Sequence, residues 1–515
     1  MKSRMLLLFL SFSSIYSYAQ IPEDALRMGW YKPGGTARNQ AIGGVMGSLG
    51  GDITSTFGNP AGLGFYKTSE LVLSPGYNFN TQKADYRGTE SSDKKNSFLL
   101  GTSGVVLGFS DRYKKGKSSA FSIAVSRTSD FNSNVYYKGQ NNFSSYGEQY
   151  AAEVAGSGLT LDQVLNSNSI SLGSRMGVYT YLVDTLTYSA GTEVVSTPTR
   201  HSLLTGAPLA LEQENRIETT GGITEIAFGF GSNKNDKLYF GGSLGIPIVN
   251  YESRKIFTES DISGNNNSDF KTSTLDETYT SKGVGLNLKL GMIFKPVDNL
   301  RLGLAVHTPT IYGLKDTYDA SMSTNTENYA TPDSVSSRFF NNGEISEFEY
   351  DLTSPWRMMV SGSYIFSEVA DVTKQKGFIS LDVEYVTYGS SKYKTANTDQ
   401  GDDGYYDNVN KAIKEVNKGA FNFRLGGEMK FNTIMARLGF AYYGNPYDIA
   451  PQKADKMFVS GGVGYRNKGI FVDLTYVQGF QKDFNIPYFL TDKENVYAAQ
   501  KVTSGTAMLT FGFKF

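Results

Sequence analysis

The chain has 515 residues, a net charge of -1 and no cysteine. The near-zero charge gives no reason to expect a polyanionic partner, so nucleic acid is excluded as a partner class. Without cysteine there is no disulfide framework, thiolate metal site or cysteine nucleophile. The only histidines, His201 and His307, argue against a catalytic triad or a zinc cluster. We therefore expect a protein that is not an enzyme and holds no cofactor or metal.

The composition favours a β-rich protein. Glycine is abundant, with 56 residues, aromatic residues make up 13%, and the mean hydropathy is -0.31. A bundle of membrane helices would need runs of about 20 apolar residues, and none follows the N-terminus. Strands with one face toward water or a polar lumen fit this mixture.

The N-terminus has the pattern of a secretory signal. Lys2 and Arg4 precede the apolar run 5–10, and small residues follow at Ser17 and Ala19. This pattern predicts a signal peptide over residues 1–19, cleaved before Gln20. The mature protein then leaves the cytoplasm.

Residues 20–67 show little strand alternation and many glycines. Apolar residues are too few for a core of their own, so we expect this segment to pack against something larger. It ends in Asn59-Pro60-Ala61-Gly62. By chemistry alone this tetrapeptide is best interpreted as a turn.

Residues 68–515 are predicted to form an all-β transmembrane antiparallel barrel, because strand periodicity recurs about fourteen times and short and long links alternate. We expect the short links at the periplasmic rim and the long ones outside, the longest being 132–210 with short helices. The predicted strands are 70–80, 96–110, 117–131, 211–231, 236–253, 280–294, 299–316, 345–366, 376–389, 419–431, 433–444, 456–466, 469–480 and 501–515.

The two faces of the strands differ in the same way throughout. In 284–294 the even positions are all apolar, whereas the odd positions are small or polar. Because an Arg or Lys on the lipid face costs about 2–4 kcal/mol at mid-bilayer, the apolar rows should face outward. The polar residues predicted to face the lumen are Lys289, His307, Arg357, Asp382, Glu384, Arg424, Glu428, Arg437 and Asp473.

The last stretch, 502–515, alternates small or apolar with mostly polar residues and ends on an aromatic residue. We expect it to be the closing strand of the barrel. Phe511, Phe513 and Phe515 are predicted to form the outer-membrane assembly signal, with the barrel assembly machinery as partner.

Two prolines interrupt predicted strands, Pro247 and Pro309. Proline lacks the N–H that a ladder needs, so each predicts a bulge or an unpaired stretch of wall. Two interpretations remain open: a strand end near the outer rim, or an opening in the barrel.

Several motifs together resemble the FadL-type outer-membrane transport family. They are GNPAGL at 58–63 before the first strand, GLAVHTP at 303–309, SPWRMMVSGSYIF at 354–366, about fourteen strands and a terminal aromatic residue. The signal and loops are similar to members found in Bacteroidota.

The resemblance implies a barrel plugged by an N-terminal hatch, residues 20–67, that moves hydrophobic compounds inward without ATP. It also implies a ligand that binds first at outer loops, then inside, and leaves sideways beside a kinked third strand. Asn59, Pro60, Ala61 and Gly62 would belong to the hatch. The third predicted strand departs from the family pattern, since it has no Gly or Pro after Gly116 and its kink is not visible.

Two functions follow as hypotheses. The first is passive outer-membrane transport of a hydrophobic small molecule, such as a long-chain fatty acid. The second is a non-transporting barrel that serves as a subunit of an outer-membrane secretion or assembly complex, with a complex partner. Either protein would lie in the outer membrane of a Gram-negative envelope, surrounded by its lipids.

Overall fold

The computed structural model describes residues 22–29, 34–110, 116–189, 191–367, 376–396, 404–448 and 453–515. The predicted signal peptide, 1–19, lies outside the described residues. None of the helices in the described ranges is long and apolar enough to cross a membrane.

Of the described strands, twenty form the barrel wall, two form a separate hairpin, and one short strand pairs only with the outer part of a wall strand. The strands are β1 (Glu70–Leu73), β2 (Pro75–Tyr86), β3 (Thr89–Leu100), β4 (Ser103–Ser110), β5 (Lys117–Asp130), β6 (Ser133–Asn141), β7 (Val183–Tyr188), β8 (Gly191–Ser196), β9 (Leu211–Lys234), β10 (Leu238–Asp261), β11 (Thr272–Val297), β12 (Leu300–His307), β13 (Ile311–Asn325), β14 (Ser334–Ser336), β15 (Ser346–Thr353), β16 (Arg357–Phe366), β17 (Gly377–Val386), β18 (Lys392–Thr395), β19 (Ala420–Phe431), β20 (Ile434–Tyr443), β21 (Lys456–Asn467), β22 (Ile470–Asn485) and β23 (Ala498–Lys514).

Helices are short and lie at the N-terminus and in the outer loops. The α-helices are α1 (Pro22–Arg27), α2 (Ala37–Ala41), α3 (Gly147–Ser157), α4 (Leu161–Asn166), α5 (Leu172–Tyr179), α6 (Thr197–Thr205) and α7 (Tyr405–Val416). The 3-10 helices are Ile53–Thr56, Pro60–Phe65, Ser337–Phe340 and Tyr388–Ser390.

The barrel strands close into an antiparallel barrel of 14 spans, which confirms the predicted fold class. Six spans are broken into two pieces: β1 with β2, β3 with β4, β5 with β6, β12 with β13, β15 with β16, and β17 with β18. The final strand closes the circle, because β23 pairs with β22 on one side and with β1 and β2 on the other. Leu71 lies opposite Phe513 at the end of this seam.

An apolar band surrounds the barrel. On β11 the even residues from Val284 to Phe294 are each 40–53% exposed, whereas Asn287 and Lys289 between them are 7% and 6% exposed. The band is as tall as the roughly 9–11 residues with which a strand spans a bilayer. These rows therefore face lipid.

The wall continues well beyond this band. β9, β10 and β11 have 24, 24 and 26 residues, more than twice what a bilayer requires. Past Ile248 the exposed residues of β10 become polar, namely Asn250, Glu252 and Arg254. The outer half of the barrel is thus a water-exposed collar.

The collar explains why two segments that form strands were predicted from the sequence as links between strands. Residues 81–95 are not a long loop: β2 and β3 continue to a tight turn at Arg87 and Gly88, both with positive φ. Residues 133–141 are likewise not loop but form β6, which pairs with β9. Above the membrane neither face of a strand is obliged to be apolar, so the alternation fades although the strand persists.

A cap covers the outer mouth. Helices α3 to α6 and the β7–β8 hairpin lie between β6 and β9 in the chain, and residues 486–497 return from β22 to meet them. Large aromatic side chains form its core: Tyr86, Tyr137, Tyr146, Phe257 and Tyr488.

The two strand prolines behave differently. At Pro309 the span breaks between β12 and β13, and pairing with β11 shifts by one residue, from His307 opposite Lys289 to Ile311 opposite Leu286. Pro247 stays paired with Glu225 of β9 without a register shift, although the ladder with β11 skips it. Pro309 therefore marks a bulge and Pro247 does not.

Candidate functional site

The chain from Gly34 to Tyr66, called the lumenal segment below, lies inside the barrel. The N–H of Ala37 donates to Thr510 Oγ1 at 2.8 Å, and the Ala37 carbonyl accepts from Thr475 Oγ1 at 2.5 Å. Farther along, the N–H of Gly43 donates to Ser460 Oγ at 3.2 Å. A Cβ at Gly43 would collide with the backbone of Phe440, and its φ of +69° also favours glycine. Close approach to the wall accounts for part of the glycine content.

Asp382 of β17 holds the middle of the lumenal segment. Its Oδ2 accepts from the N–H groups of Met46 at 3.0 Å and Gly47 at 3.1 Å. Its Oδ1 accepts from Ser361 Oγ at 2.5 Å. The carboxylate is fully buried, so these charge-assisted bonds replace its hydration.

Asn59 fixes the end of the lumenal segment. Its Nδ2 donates to the carbonyl of Gly47 at 2.6 Å and, at 3.3 Å, to those of Met292 and Leu304 in two neighbouring spans. Its Oδ1 accepts from the N–H of Ala61 and so caps the 3-10 helix Pro60–Phe65. The structure places all four residues of the NPAG motif here, buried against the wall.

A chain of buried charges joins the lumenal segment to the wall. Arg38 Nε lies 3.4 Å from Glu428 Oε2, which also accepts from Arg437 Nε at 2.6 Å. Arg437 in turn contacts Asp473 Oδ1 at 2.5 Å. Removing one member of such a buried set leaves an uncompensated charge, a loss of about 3–5 kcal/mol.

A second set of charges lies around Glu384. Arg424 approaches it at 2.8 Å and Arg357 at 3.6 Å. Nearby, Lys289 is paired with Glu225 and donates to Asn287 Oδ1 at 2.6 Å. The structure thus brings the nine predicted lumen-facing residues inside the barrel, with His307 Nε2 donating to the Gly58 carbonyl at 2.6 Å.

Sequence reasoning missed Arg38, Arg301 and Glu225 as lumenal groups. Arg301 Nη1 donates to the Leu49 carbonyl at 2.9 Å, so it also holds the lumenal segment. Arg301 and Glu225 occupy the polar face of predicted strands, and the same alternation rule would have found them. Arg38 could not be found in this way, because the residues around it in the sequence show no two-residue strand alternation.

Two adjacent cavities lie beside the lumenal segment. The central chamber has a volume of about 150 Å³. A side chamber of about 60 Å³ is partly apolar, lined by Leu99, Phe458 and Val477. Arg127 and Thr128 of β5 line both, as do two glycines at the start of the lumenal segment. The third span therefore lies at their junction.

The backbone ladder of the wall is interrupted beside this junction. β4 pairs with β5, with Ser103 opposite Val125. From Gly101 toward the outer mouth, no backbone ladder among the described residues joins β3 to β5 or β6. Instead, Asn78 Nδ2 and Ser97 Oγ, on β2 and β3, donate to Asp130 at 3.0 and 3.2 Å. Because Asn78 points inward, β6 lies on the lumenal side of the β2–β3 hairpin. Side-chain hydrogen bonds replace the ladder between the second and third spans, and this interruption is called the seam below.

The third span is thus bent, although its sequence has no Gly or Pro after Gly116 that would have shown the kink. Pairing with β9 shifts between Arg127 and Ser129, leaving Thr128 as a bulge. The permissive residues lie on the neighbouring strand, where Gly221 and Gly222 have φ of +99° and +157°. A Cβ on either glycine would clash with a carbonyl, of Asn250 and Ser129 respectively. The kink is not visible in the third strand because its partner supplies the glycines.

One carboxylate in the outer cap has no cation among its described partners. Glu259 is fully buried near the outer end of β10, far beyond the apolar band. It accepts from Ser145 Oγ at 2.6 Å, from the N–H of Tyr146 at 3.1 Å and from Gln213 Nε2. Burial raises the pKa of Glu259 to about 7, and these hydrogen bonds offset only part of that rise.

A closed barrel of 14 spans with a lipid-facing band defines an outer-membrane β-barrel. Over 95% of this chain and 100% of the other, the structure is similar to a FadL homologue of Pseudomonas aeruginosa, with a TM-score of 0.54 at 12% identity. It is also similar to the Pseudomonas putida toluene transporter TodX, with a TM-score of 0.53 at 13% identity over 94% of this chain and 99% of that one. The chain has the FadL-type fold, which confirms the resemblance seen in its sequence.

Comparison at the level of sequence adds nothing to this: no family model matches the chain, and no curated protein matches it.

We expect Asp382→Asn to loosen the lumenal segment. Hydrogen bonds to a charged acceptor contribute about 1.5–3 kcal/mol, so amide exchange at Met46 and Gly47 should accelerate at least tenfold. Hydrogen–deuterium exchange in detergent measures this. Ser243→Ala is the matched control, since this inward serine has no hydrogen-bond partner for its hydroxyl among the described residues. Exchange at wild-type rates in Asp382→Asn would contradict the anchoring role.

The outer cap should loosen as pH rises. The pKa of Glu259 is raised above its ordinary value of 4.5, so the folded cap binds a proton that the unfolded cap releases. Cap stability is therefore highest below about pH 4.5 and falls by about 3 kcal/mol as pH rises to about 7. Limited proteolysis of residues 142–210 at pH 5 and pH 8 measures this.

Glu259→Gln should abolish the pH dependence of that cleavage. Glu252→Gln, on the exposed face of the same strand, should retain it. A pH-dependent cleavage rate that persists in Glu259→Gln would show that another group is responsible.

Proposed function

We propose that the protein passively transports small hydrophobic or amphipathic molecules across the outer membrane. The observation that carries this proposal is the seam, where the ladder between two spans is interrupted, beside two adjacent cavities. A solute-specific pore would need only an axial channel, whereas a side opening at membrane height suits a molecule that partitions into lipid.

The proposed path runs from the central chamber past Thr128 to the side chamber and then to the seam. Charged groups around Glu384 line the first part of this path, and Leu99 and Phe458 stand among polar residues in the second. At the seam, Phe98 is 86% exposed on the lipid side. A ligand entering this surface gains roughly 0.8 kcal/mol for each methylene removed from water.

Chamber size bears on the ligand. A cavity of about 150 Å³ can hold a benzene-sized molecule. The similar structure TodX is described as a toluene transporter, and a ligand of that size fits the central chamber as it stands, whereas the side chamber of about 60 Å³ would have to widen for its passage. A long-chain fatty acid, the ligand expected from the family resemblance, would require the lumenal segment to move and release bonds such as those to Asp382.

The two histidines support no hydrolytic alternative. His307 donates to the backbone carbonyl of Gly58, and His201 Nε2 lies 3.3 Å from Asn265 Nδ2. Both rings thus have structural hydrogen bonds.

The subunit hypothesis also has an observation in its favour. Leu203 and Leu204 at the end of α6 are 51% and 55% exposed, and Ile262 on the adjoining loop is 41% exposed. The contact between His201 and Asn265 holds these two elements together. An apolar patch on the outer cap suits a protein partner.

Thr128→Trp should block the junction between the two cavities and lower uptake of labelled toluene and of labelled fatty acid at least about tenfold, a loss typical of displaced binding geometry. Uptake is measured in liposomes with matched protein content. Thr503→Trp, on the exposed face of β23, should transport at wild-type rates.

Empty liposomes set the baseline for this assay. If wild-type protein takes up both compounds no faster than empty liposomes, the transport proposal fails. Purification in mild detergent then separates the alternatives, because a stoichiometric large partner would support the subunit function.

A further inference from the structure

Three lysines stand directly opposite one another on adjacent spans. Lys501 of β23 pairs with Lys482 of β22 on one side and with Lys83 of β2 on the other. Lys94 of β3 is a diagonal neighbour of Lys83, since Lys83 lies opposite Ser92, two residues away. All four side chains are exposed and share the outward face of their strands. They are called the lysine row below.

Like charges directly opposite each other destabilise a sheet. Within the described parts of the chain, no carboxylate forms an ion pair with any of the four. Asp455, beside Lys482, and Asp85, two residues beyond Lys83, are the acids placed closest along these faces, and neither pairs with them. The row is a concentrated positive charge that the protein itself does not balance.

Elsewhere on the collar, several outward cations have acidic partners. Lys315 lies 2.8 Å from Glu347, and Arg254 lies 2.7 Å from Asp276. Lys138 is 2.6 Å from Glu212. In these three places the wall itself supplies the counter-charge that the lysine row does not have among the described residues.

The row lies at the outer edge of the apolar band. On β22 the exposed residues Ile470, Leu474, Tyr476 and Phe480 lead directly to Lys482. On β2 the exposed apolar residues end at Phe79, and Lys83 follows after Thr81. Four ammonium groups thus lie where lipid headgroups meet the barrel, with stems long enough to reach along the surface.

We propose that the lysine row binds the phosphate groups of an anionic lipid in the outer leaflet. Neighbouring strands are about 4.8 Å apart, so adjacent ammonium groups can converge on one phosphate. The apolar rows below the lysines would contact the acyl chains of the same lipid. Since β3 borders the seam, a lipid bound at Lys94 would lie at its edge.

Native mass spectrometry of the detergent-solubilised full chain tests this proposal, with diphosphorylated lipid A as the probe. Wild-type protein should retain it, and the Lys83→Gln, Lys482→Gln, Lys501→Gln triple variant should bind at least about tenfold more weakly. Lys315→Gln, at a similar height but among acidic partners, should bind as wild type.

A second measurement needs no variant. Enzymatically dephosphorylated lipid A should bind wild-type protein about as weakly as the triple variant binds the phosphorylated lipid. Inorganic phosphate at millimolar concentration should displace little lipid, because it lacks the acyl contacts. Equal retention of phosphorylated and dephosphorylated lipid by wild-type protein would overturn the proposal, as would unchanged binding by a folded triple variant.

Discussion

The chain of charges from Arg38 through Glu428 and Arg437 to Asp473 is the interaction on which the arrangement of the lumen depends. A barrel of 14 spans encloses a space wider than its own inward side chains can fill. Ionised groups in that space need partners, because a buried charge without one costs several kcal/mol. Here the wall supplies three of the four members and the lumenal segment supplies the first. The segment and the wall therefore stabilise each other.

The same constraint explains why the lumenal segment has only short helices. Some of its backbone N–H and carbonyl groups bond within these short turns. Others are satisfied by wall side chains, among them Thr510, Ser460, Asp382 and Arg301. A helix or strand would have used those groups internally and left the inward polar side chains of the barrel without partners. Glycine at the points of closest approach lets the backbone reach them.

The sequence predicted the strands and their facing correctly within the bilayer, but it did not predict the strands of the collar above the bilayer. Lipid obliges every outward residue to be apolar, so the alternation from Val284 to Phe294 predicts both the strand and its facing. In the water-exposed collar, outward residues can be polar, so the alternation is lost. The sequence pattern therefore predicted loops where β6 and the outer ends of β2 and β3 lie. In the candidate site, Arg424 and Glu428 followed from the same alternation. The contacts of Arg38 could not be predicted, since they depend on where an irregular segment crosses the lumen.

The bend of the third span shows why local composition can mislead about a seam. A strand can bend away from a barrel wall only if its ladder with one neighbour is interrupted and its other neighbour bends with it. β3 provides the first condition, because its span breaks at Gly101 and Thr102 and its outer part pairs with β2 alone. β9 provides the second, because Gly221 and Gly222 let it bend with β5 and β6 while keeping its ladder to β10. The bent strand itself needs only the bulge at Thr128, which any residue can adopt. A search for an opening in such a barrel should therefore examine glycines on the strands that flank the bend.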